Sequence, residues 1–163
     1  PPIPGIEQVE AYETVPMDGE SFRNQRVLIL GKGNSGFEIA DNILETAALI
    51  HLASPDSITM AWNTRHPGHL RGDYVRILDA YQLKLLHGML DCTINQIQRE
   101  NGKYVVQVRY VHADNEVEEI IYDRVIRCTG FRFDPKLISN MRTDYGRSTR
   151  SATLRARRER STA

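Results

Sequence analysis

The stretch from Arg26 to Ala48 decides the fold and reads RVLILGKGNSGFEIADNILETAA. It opens with four consecutive apolar residues, Val27 to Leu30, a pattern typical of a strand buried on both faces of a sheet. Gly31, Gly33 and Gly36 follow in a G-x-G-x-x-G arrangement. The next residues have the spacing of one apolar helix face, formed by Phe37, Ile39, Ala40, Ile43, Leu44 and Ala47.

Strand, glycine turn and helix stand in the order that a dinucleotide pyrophosphate site requires. The first glycine allows a tight turn, the second lets phosphates approach the backbone, and the third lets helix and strand pack closely. We predict that N–H groups of residues 34–37 point at the anion, helped by the helix dipole, and that the Asn34 and Ser35 side chains add donors. The alternative is an ordinary glycine-rich turn without a ligand.

Length and composition bound the function. The 163 residues suffice for one domain with a core, and 21 basic residues balance 21 acidic ones. No overall field therefore attracts nucleic acid or a membrane surface, and no apolar run approaches the roughly 18 residues of a membrane helix. Cys92 and Cys128 form no C-x-x-C motif. Because the chain opens with PPIPGIE, without Met or a signal-peptide pattern, we interpret it as part of a longer protein.

The segments around the glycine turn follow from composition and periodicity. Residues 1–25 are predicted as a connector, and the domain as 26–134. Within and after the connector the sequence predicts an extended segment (Val9–Val15), a polar turn (Asp18–Asn24), a second buried strand (Leu49–Ala53), a third strand (Ile58–Trp62) and a loop (Asn63–Gly72). Asp73 can cap a long helix whose apolar face carries Tyr74, Ile77, Leu78, Tyr81, Leu85 and Met89.

The period then changes from about 3.6 to 2, which predicts an antiparallel meander. Its strands are Thr93–Gln98, Lys103–Val111 and Val117–Tyr122, the first two flanking the favoured hairpin turn Asn101-Gly102. A last short strand spans Val125–Cys128. From Ser139 onward apolar residues nearly vanish and arginines accumulate, so that residues 135–163 are predicted to form a disordered basic tail.

The end of the second strand bears on cofactor choice. NAD-selective sites place an acid there, about 20 residues beyond the glycines, whereas this chain has Ser54 and no carboxylate until Asp56. The missing acid favours NADP, with NAD left open. Cations that could meet the 2′-phosphate are Arg65 and His66, with Arg71 behind them, although for any single one a solvated loop cation is the more ordinary interpretation.

Other chemistry finds little support in the residues. His66 and His69 share one loop without cysteine or carboxylate companions at ligand spacing, so no metal is predicted. Cys128 is interpreted as a small core residue, and no catalytic residue is assigned because no triad motif occurs. The arginine-rich tail lacks the interleaved aromatic residues that single-strand binders use, so no nucleic-acid partner is predicted.

Four stretches together resemble the flavin-containing monooxygenase-like FAD/NAD(P)-dependent oxidoreductases: PGIE, VLILGKGNSGFEIADNI, LDAYQLKLLHGMLD and YDRVIRCTGFRFD. In this family an FAD domain is interrupted by a smaller NAD(P)-binding domain. The resemblance implies that Gly31, Gly33, Asn34, Ser35 and Gly36 form the nicotinamide-side fingerprint. It also implies that Thr129 and Gly130 belong to the linker that returns to the FAD domain.

The same resemblance implies what the parent protein does. Its expected reaction is reduction of FAD by NADPH, followed by oxygen activation and monooxygenation. The FAD fingerprint is absent from these residues, so the chain alone is expected to bind nucleotide weakly or not at all and to catalyse nothing. An endoplasmic-reticulum member of the family further implies residence in that lumen and protein partners in the disposal of misfolded glycoproteins.

The predicted fold is therefore an α/β, Rossmann-like NAD(P)-binding domain. It has a parallel sheet with helices on both faces and an antiparallel meander packed on top. One rival interpretation is a non-catalytic adaptor module on the same fold, since fold alone does not settle function. A second is a truncated reading frame, which would account for the unusual tail.

Overall fold

A computed structural model describes residues 2–64, 69–72 and 87–130 of the chain. Within these ranges seven strands form one mixed sheet in the order β1-β7-β2-β3-β4-β5-β6. The strands are β1 (Glu10–Ala11), β2 (Arg26–Leu30), β3 (Leu49–Ser54), β4 (Gly88–Glu100), β5 (Lys103–Tyr110), β6 (Val117–Tyr122) and β7 (Arg124–Arg127). The α-helices described are α1 (Asn34–Ile43) and the short α2 (Ala61–Thr64).

The parallel half of the sheet comprises β1, β7, β2, β3 and the beginning of β4. β2 lies at its centre, where Ile29 pairs with Leu52 of β3 on one side and with Ile126 of β7 on the other. Helix α1 makes the crossover from β2 to β3 that parallel strands need. The buried first and second strands predicted from the sequence are confirmed.

The two faces of β2 are covered by different structures. Val27 and Ile29 face a core that includes Phe37 of helix α1. Leu28 and Leu30 face a second core formed with the meander, in which Val106 and other residues of β4, β5, β6 and β7 are buried. In the described residues the second face is thus packed by the meander, where the sequence analysis expected a helix.

The meander grows out of the parallel sheet through the long strand β4. Residues Gly88 to Asp91 pair parallel with β3, and Cys92 onward pairs antiparallel with β5. A register shift between Ile94 and Gln96 interrupts that pairing. The predicted hairpin turn is confirmed, since Asn101 and Gly102 have positive φ of 51° and 81°.

The predicted third strand, Ile58–Trp62, is wrong. Met60 makes only an isolated parallel bridge with Leu70, and residues 61–64 form helix α2. The reason lies in the sheet: β3 is already paired with β2 on one edge and with β4 on the other, so no edge beside it remains for this segment.

The long helix predicted after Asp73 lies, through residue 86, outside the described residues. Its last predicted member, Met89, is in β4 and pairs with Leu52. From Leu90 to Asn95 apolar residues alternate with polar ones, and this strand periodicity leads into the meander. Arg65, His66 and residues 131–163, with the predicted tail, also lie outside the described residues.

Residues 2–25, predicted as a connector, pack on the domain. Only Glu10–Ala11 of the predicted extended segment is a strand, and it pairs with β7. The predicted polar turn is a short 3-10 helix, Gly19–Phe22, capped by the Asp18 carboxylate, which accepts from the Ser21 N–H at 2.9 Å. Phe22 is fully buried in the core on the α1 side.

No helix among the described residues has the length and apolar character needed to cross a membrane. This finding concerns only the ranges given above.

His51 lies on β3 against the meander. Its Nδ1 is 2.7 Å from the Tyr122 hydroxyl, and the two rings meet edge to face. Burial lowers the pKa of His51 from 6.5 to about 4, and the positive charges of Arg26 and His87 act in the same direction. The neutral imidazole is therefore the form that the fold accommodates.

We predict that His51→Gln flattens the loss of stability on acidification. Because the folded-state pKa lies below the unfolded-state value, the wild-type free energy of unfolding falls as the pH drops from about 6.5 to about 4, by up to about 3 kcal/mol from this group. Urea unfolding across this pH range measures the effect. His112→Gln is the control, because the His112 side chain is 73% exposed. Equal slopes for His51→Gln and wild type would contradict the prediction.

Candidate nucleotide-binding site

A cavity of about 1290 Å³ opens where the parallel strands end. In open α/β sheets ligands bind outside the carboxyl ends of the strands, which is where this cavity lies. The glycine turn forms its floor, and the strand ends and the N-terminal segment form its walls. The described lining residues are Pro2, Ile3, Pro4, Leu30, Gly31, Lys32, Gly33, Asn34, Ser35, Ala53, Ser54, Pro55, Cys92, Thr93, Ile94, Asn95, Arg109, Asn115, Cys128, Thr129 and Gly130.

Gly31 and Gly36 are required by the fold itself. Gly31 has a φ of +121°, and a Cβ on it would lie 2.3 Å from the carbonyl oxygen of Cys128. A Cβ on Gly36 would lie 2.5 Å from the carbonyl oxygen of Gly31. Gly31 lets the turn pass close to β7, and Gly36 lets helix α1 pack against the turn. Because packing alone explains both glycines, neither is evidence for a bound ligand.

Gly33 differs, because nothing among the described residues requires it to be small. A Cβ at this position would meet no atom of residues 2–64, 69–72 or 87–130 within 4 Å, and its φ of −96° is open to any residue. The position faces the cavity. The absence of a side chain therefore leaves room for something outside the chain to approach the backbone, which is the role that a dinucleotide fingerprint gives its second glycine.

The start of helix α1 supplies backbone donors next to this space. The first intrahelical hydrogen bond runs from the Phe37 N–H to the Gly33 carbonyl at 3.1 Å. The Phe37 N–H is thus occupied, contrary to the sequence prediction, which included it among the anion donors. The N–H groups of residues 34–36 precede that bond and have no acceptor within the helix. The positive end of the helix dipole adds to their attraction for an anion.

The side chain of Asn34, predicted as a phosphate donor, is held by the backbone of residues 69–71. Its Nδ2 donates to the His69 carbonyl at 3.1 Å, and its Oδ1 accepts from the Arg71 N–H at 3.0 Å. A primary amide can donate to a backbone carbonyl and accept from a backbone N–H at the same time, and residues 69–71 supply both partners. Asn34 and Ser35 both line the cavity, and Ser35 is half-buried there.

Lys32, between the first two glycines, is turned away from solvent. Its side chain is 2% exposed, and its Nζ is paired with the Asp91 carboxylate and donates to the Leu90 carbonyl at 3.2 Å. The Lys32 hydrogen bond lowers the pKa of Asp91, and a second one from the Ser57 hydroxyl, at 2.7 Å, acts likewise. The pair ties the glycine turn to β4. Sequence reasoning missed it because the two residues are 59 positions apart.

Among the described residues, no acidic side chain lines the cavity at the end of β3. Ser54 and Pro55 line the cavity there, and the Ser54 hydroxyl donates to the Asp56 carbonyl at 3.0 Å. The Asp56 side chain is on an exposed residue that does not contribute to the lining. Ser54 is therefore where the sequence analysis expected it, at the second strand end.

The end of β7 forms the opposite wall. Thr129 and Gly130 line the cavity directly after Cys128, whose N–H donates to the Leu30 carbonyl at 2.8 Å. Cys128 is a buried core residue, as predicted, and burial raises its pKa to about 12. Burial likewise raises the pKa of Cys92 to about 11. Neither thiol is ionised at neutral pH.

Among residues 2–64, 69–72 and 87–130, no three His, Cys, Asp or Glu side chains gather where they could share a metal ion. The prediction that the protein holds no metal stays a prediction.

The family model for pyridine nucleotide-disulphide oxidoreductases matches residues 1–162. The chain therefore belongs to this family, whose members include FAD- and NAD(P)-dependent oxidoreductases. Among curated relatives, the FAD-dependent oxidoreductase domain-containing protein 2 of Mus musculus is 37% identical over 152 residues, which cover 81% of this chain and 23% of that protein. Senecionine N-oxygenase of Tyria jacobaeae is 28% identical over 148 residues, covering 86% and 26%. The chain thus spans about a quarter of the length of these relatives.

Solved structures of the same fold come from both disulfide reductases and monooxygenases. The bacillithiol disulfide reductase of Bacillus cereus matches with a TM-score of 0.64 at 17% identity, covering 85% of this chain and 39% of that protein. The FAD-bound cadaverine monooxygenase of Erwinia amylovora matches with a TM-score of 0.59 at 11% identity, covering 80% and 41%. These likenesses confirm the predicted Rossmann-like fold. The curated relatives confirm the resemblance noted in the sequence.

We predict unequal losses of stability for alanine at two of the glycines. Gly36→Ala should lower the free energy of unfolding by about 1–3 kcal/mol, because its Cβ would press on the Gly31 carbonyl. Gly33→Ala should lie within about 0.5 kcal/mol of wild type, because its Cβ enters open space. Urea unfolding of both variants provides the comparison. A loss for Gly33→Ala as large as that for Gly36→Ala would show that the fold also needs the second glycine.

We also predict that Asp91→Ala lowers the free energy of unfolding by about 3 kcal/mol, since it leaves the buried Lys32 ammonium without its partner. The double variant Lys32→Met/Asp91→Ala should recover part of that loss, because an apolar side chain of similar length then replaces the stranded charge. Denaturation midpoints of wild type and both variants test this. If the double variant is no more stable than Asp91→Ala, the buried charge is not the cause.

Proposed function

We propose that the chain is the NADPH-binding part of a flavin-dependent oxidoreductase. In the whole protein, hydride would pass from NADPH to FAD in a monooxygenase-like reaction. The observation that carries the proposal is Gly33, whose missing side chain leaves a space that the fold does not use. Family membership supports a flavin- and nicotinamide-dependent oxidoreductase.

The site residues would hold the dinucleotide in three places. Its pyrophosphate would lie over Gly33 and accept from the N–H groups of residues 34–36, with the Ser35 hydroxyl beside them. Its adenosine ribose would lie at the end of β3, next to Ser54. The nicotinamide half would then extend toward Thr129 and Gly130 at the end of β7. Gly31 and Gly36 would act by shaping the turn.

The lining supports NADP over NAD. A carboxylate at the end of the second strand would bind the ribose diol and repel a 2′-phosphate, and the residues found there are Ser54 and Pro55. Arg65 and His66 remain proposed contacts for that phosphate, on the basis of their sequence positions.

Two observations favour oxygen chemistry over dithiol chemistry. Disulfide exchange needs a thiolate, and burial keeps both Cys92 and Cys128 protonated at neutral pH. The likeness to senecionine N-oxygenase at 28% identity points in the same direction. When bound, the nicotinamide supplies a hydride, and FAD, held by a part of the protein outside this chain, is the acceptor we propose.

The proposal extends, on the family resemblance alone, to residence in the endoplasmic-reticulum lumen and to partners in the disposal of misfolded glycoproteins. Co-localisation of the full-length protein with a luminal marker tests the first. Recovery of misfolded glycoproteins with it, in a form that depends on their glycans, tests the second.

We predict that the wild-type chain binds NADPH more tightly than NADH and that Gly33→Ala abolishes binding of both. A methyl group at residue 33 would occupy the space of the pyrophosphate. Amide chemical-shift titrations measure affinities as weak as those expected for an isolated domain. Asn42→Ala, at an exposed position near the other end of helix α1, serves as the control and should bind like wild type.

Indifference of the full-length protein to both nucleotides would contradict the proposal and favour the adaptor interpretation. In the full-length protein, the expected reaction is anaerobic bleaching of the visible flavin absorbance by NADPH. Oxygen should then restore that absorbance. Bleaching by a dithiol in place of NADPH would contradict the assignment.

A further inference from the structure

We propose that Arg109, on β5 of the meander, binds the 2′-phosphate of NADP and so determines the choice between the two nicotinamide cofactors. The inference rests on the proposed function and adds a residue to it. It does not rely on Arg65 or His66.

The charge of the cavity lining leads to this residue. Among the described lining residues there is no aspartate or glutamate, and the two side chains with a permanent positive charge are Lys32 and Arg109. An anionic ligand would therefore meet a surface without acidic side chains. The cation that could bind such a ligand is the one that is not already paired with a carboxylate of the protein.

The positive charge of Lys32 is already paired inside the protein. Its Nζ is paired with the Asp91 carboxylate, and its side chain is 2% exposed. Releasing that ammonium toward a phosphate would leave the Asp91 charge without its nearest counterion. Lys32 thus shapes the turn and is unsuited to bind an incoming anion.

Arg109 is in the opposite situation. It is an exposed residue, and within the part of the chain that the structure describes no carboxylate lies within ion-pair distance of it. A guanidinium keeps its charge at any pH at which the protein is folded, and its planar fork of donors matches phosphate oxygens. An arginine that lines a cavity without a partner is ready to receive an anion.

Its place in the sheet indicates which phosphate it would meet. Arg109 pairs with Thr93 of β4, two residues beyond Asp91, which pairs with Ser54 at the end of β3. Two strand residues span about 7 Å. Arg109 therefore lies just past the strand end where the adenosine ribose is expected, on the side away from β7 and the nicotinamide. The 2′-phosphate belongs to that ribose, whereas the pyrophosphate lies over the glycine turn.

The test compares NADPH and NADH binding to the full 163-residue chain and to three variants. Arg109→Gln should raise the Kd for NADPH about tenfold and leave the Kd for NADH within about twofold of wild type, because only NADPH carries the 2′-phosphate. Arg109→Lys, which keeps the charge and loses the fork, should fall between. Arg99→Gln removes the same charge at the far end of the meander and should change neither Kd. Unchanged urea unfolding midpoints would show that all three variants fold.

The outcomes separate this inference from the proposed function. If Arg109→Gln weakens both nucleotides equally, the side chain meets a phosphate that they share and the 2′-phosphate assignment is overturned. If it weakens neither, Arg109 is not a contact and the inference is overturned while the nucleotide site stands. If neither the wild-type chain nor the full-length protein binds either nucleotide, the proposed function itself fails, and this inference fails with it.

Discussion

The close approach of the glycine turn to β7 is the constraint on which the rest of the site depends. The carbonyl oxygen of Cys128 lies 2.3 Å from the position that a Cβ on residue 31 would take, too close for any side chain. The turn is also fixed on its other side, since the Gly31 N–H donates to the Ala53 carbonyl of β3 at 2.8 Å. Held between two strands, the chain reverses within a few residues and starts helix α1 at a fixed place. The orientation of the N–H groups in the first turn of α1 is therefore fixed before a ligand binds.

The sequence predicted the parallel part of this fold well because burial there leaves a strong local signal. Val27 to Leu30 are apolar without interruption, since both faces of β2 are covered. The hairpin turn at Asn101 and Gly102 is equally local, because few residues other than these adopt positive φ readily. Where strand identity depends on neighbours elsewhere in the chain, prediction failed. The segment Ile58–Trp62 has strand-like composition, yet β3 has no open edge to receive it.

The site shows the same division. The glycine positions could be found from their spacing, but spacing gives all three a similar weight. Only the structure separates Gly31 and Gly36, which the fold requires, from Gly33, which it does not. The Asn34 amide could not be assigned from the sequence because its partners, on residues 69 and 71, come from a loop with no distinguishing pattern. The Lys32–Asp91 pair could not be predicted either, because its two residues are 59 positions apart in the sequence.

The way the N-terminal segment is fastened limits where this domain can pivot. The Pro4 carbonyl accepts from the Ile97 N–H at 3.0 Å, and the Gln8 carbonyl accepts from the Tyr104 hydroxyl at 3.0 Å. Three residues after Gln8, Ala11 completes the pairing of β1 with β7. Gly5, at a φ of +85°, fits so tightly that a Cβ would lie 1.9 Å from the Ile97 carbonyl oxygen. Backbone fastened at three successive points cannot serve as a hinge. Any rotation of the sheet and meander relative to another domain would therefore have to occur outside residues 4–11. This segment would move together with the sheet and meander as one rigid unit.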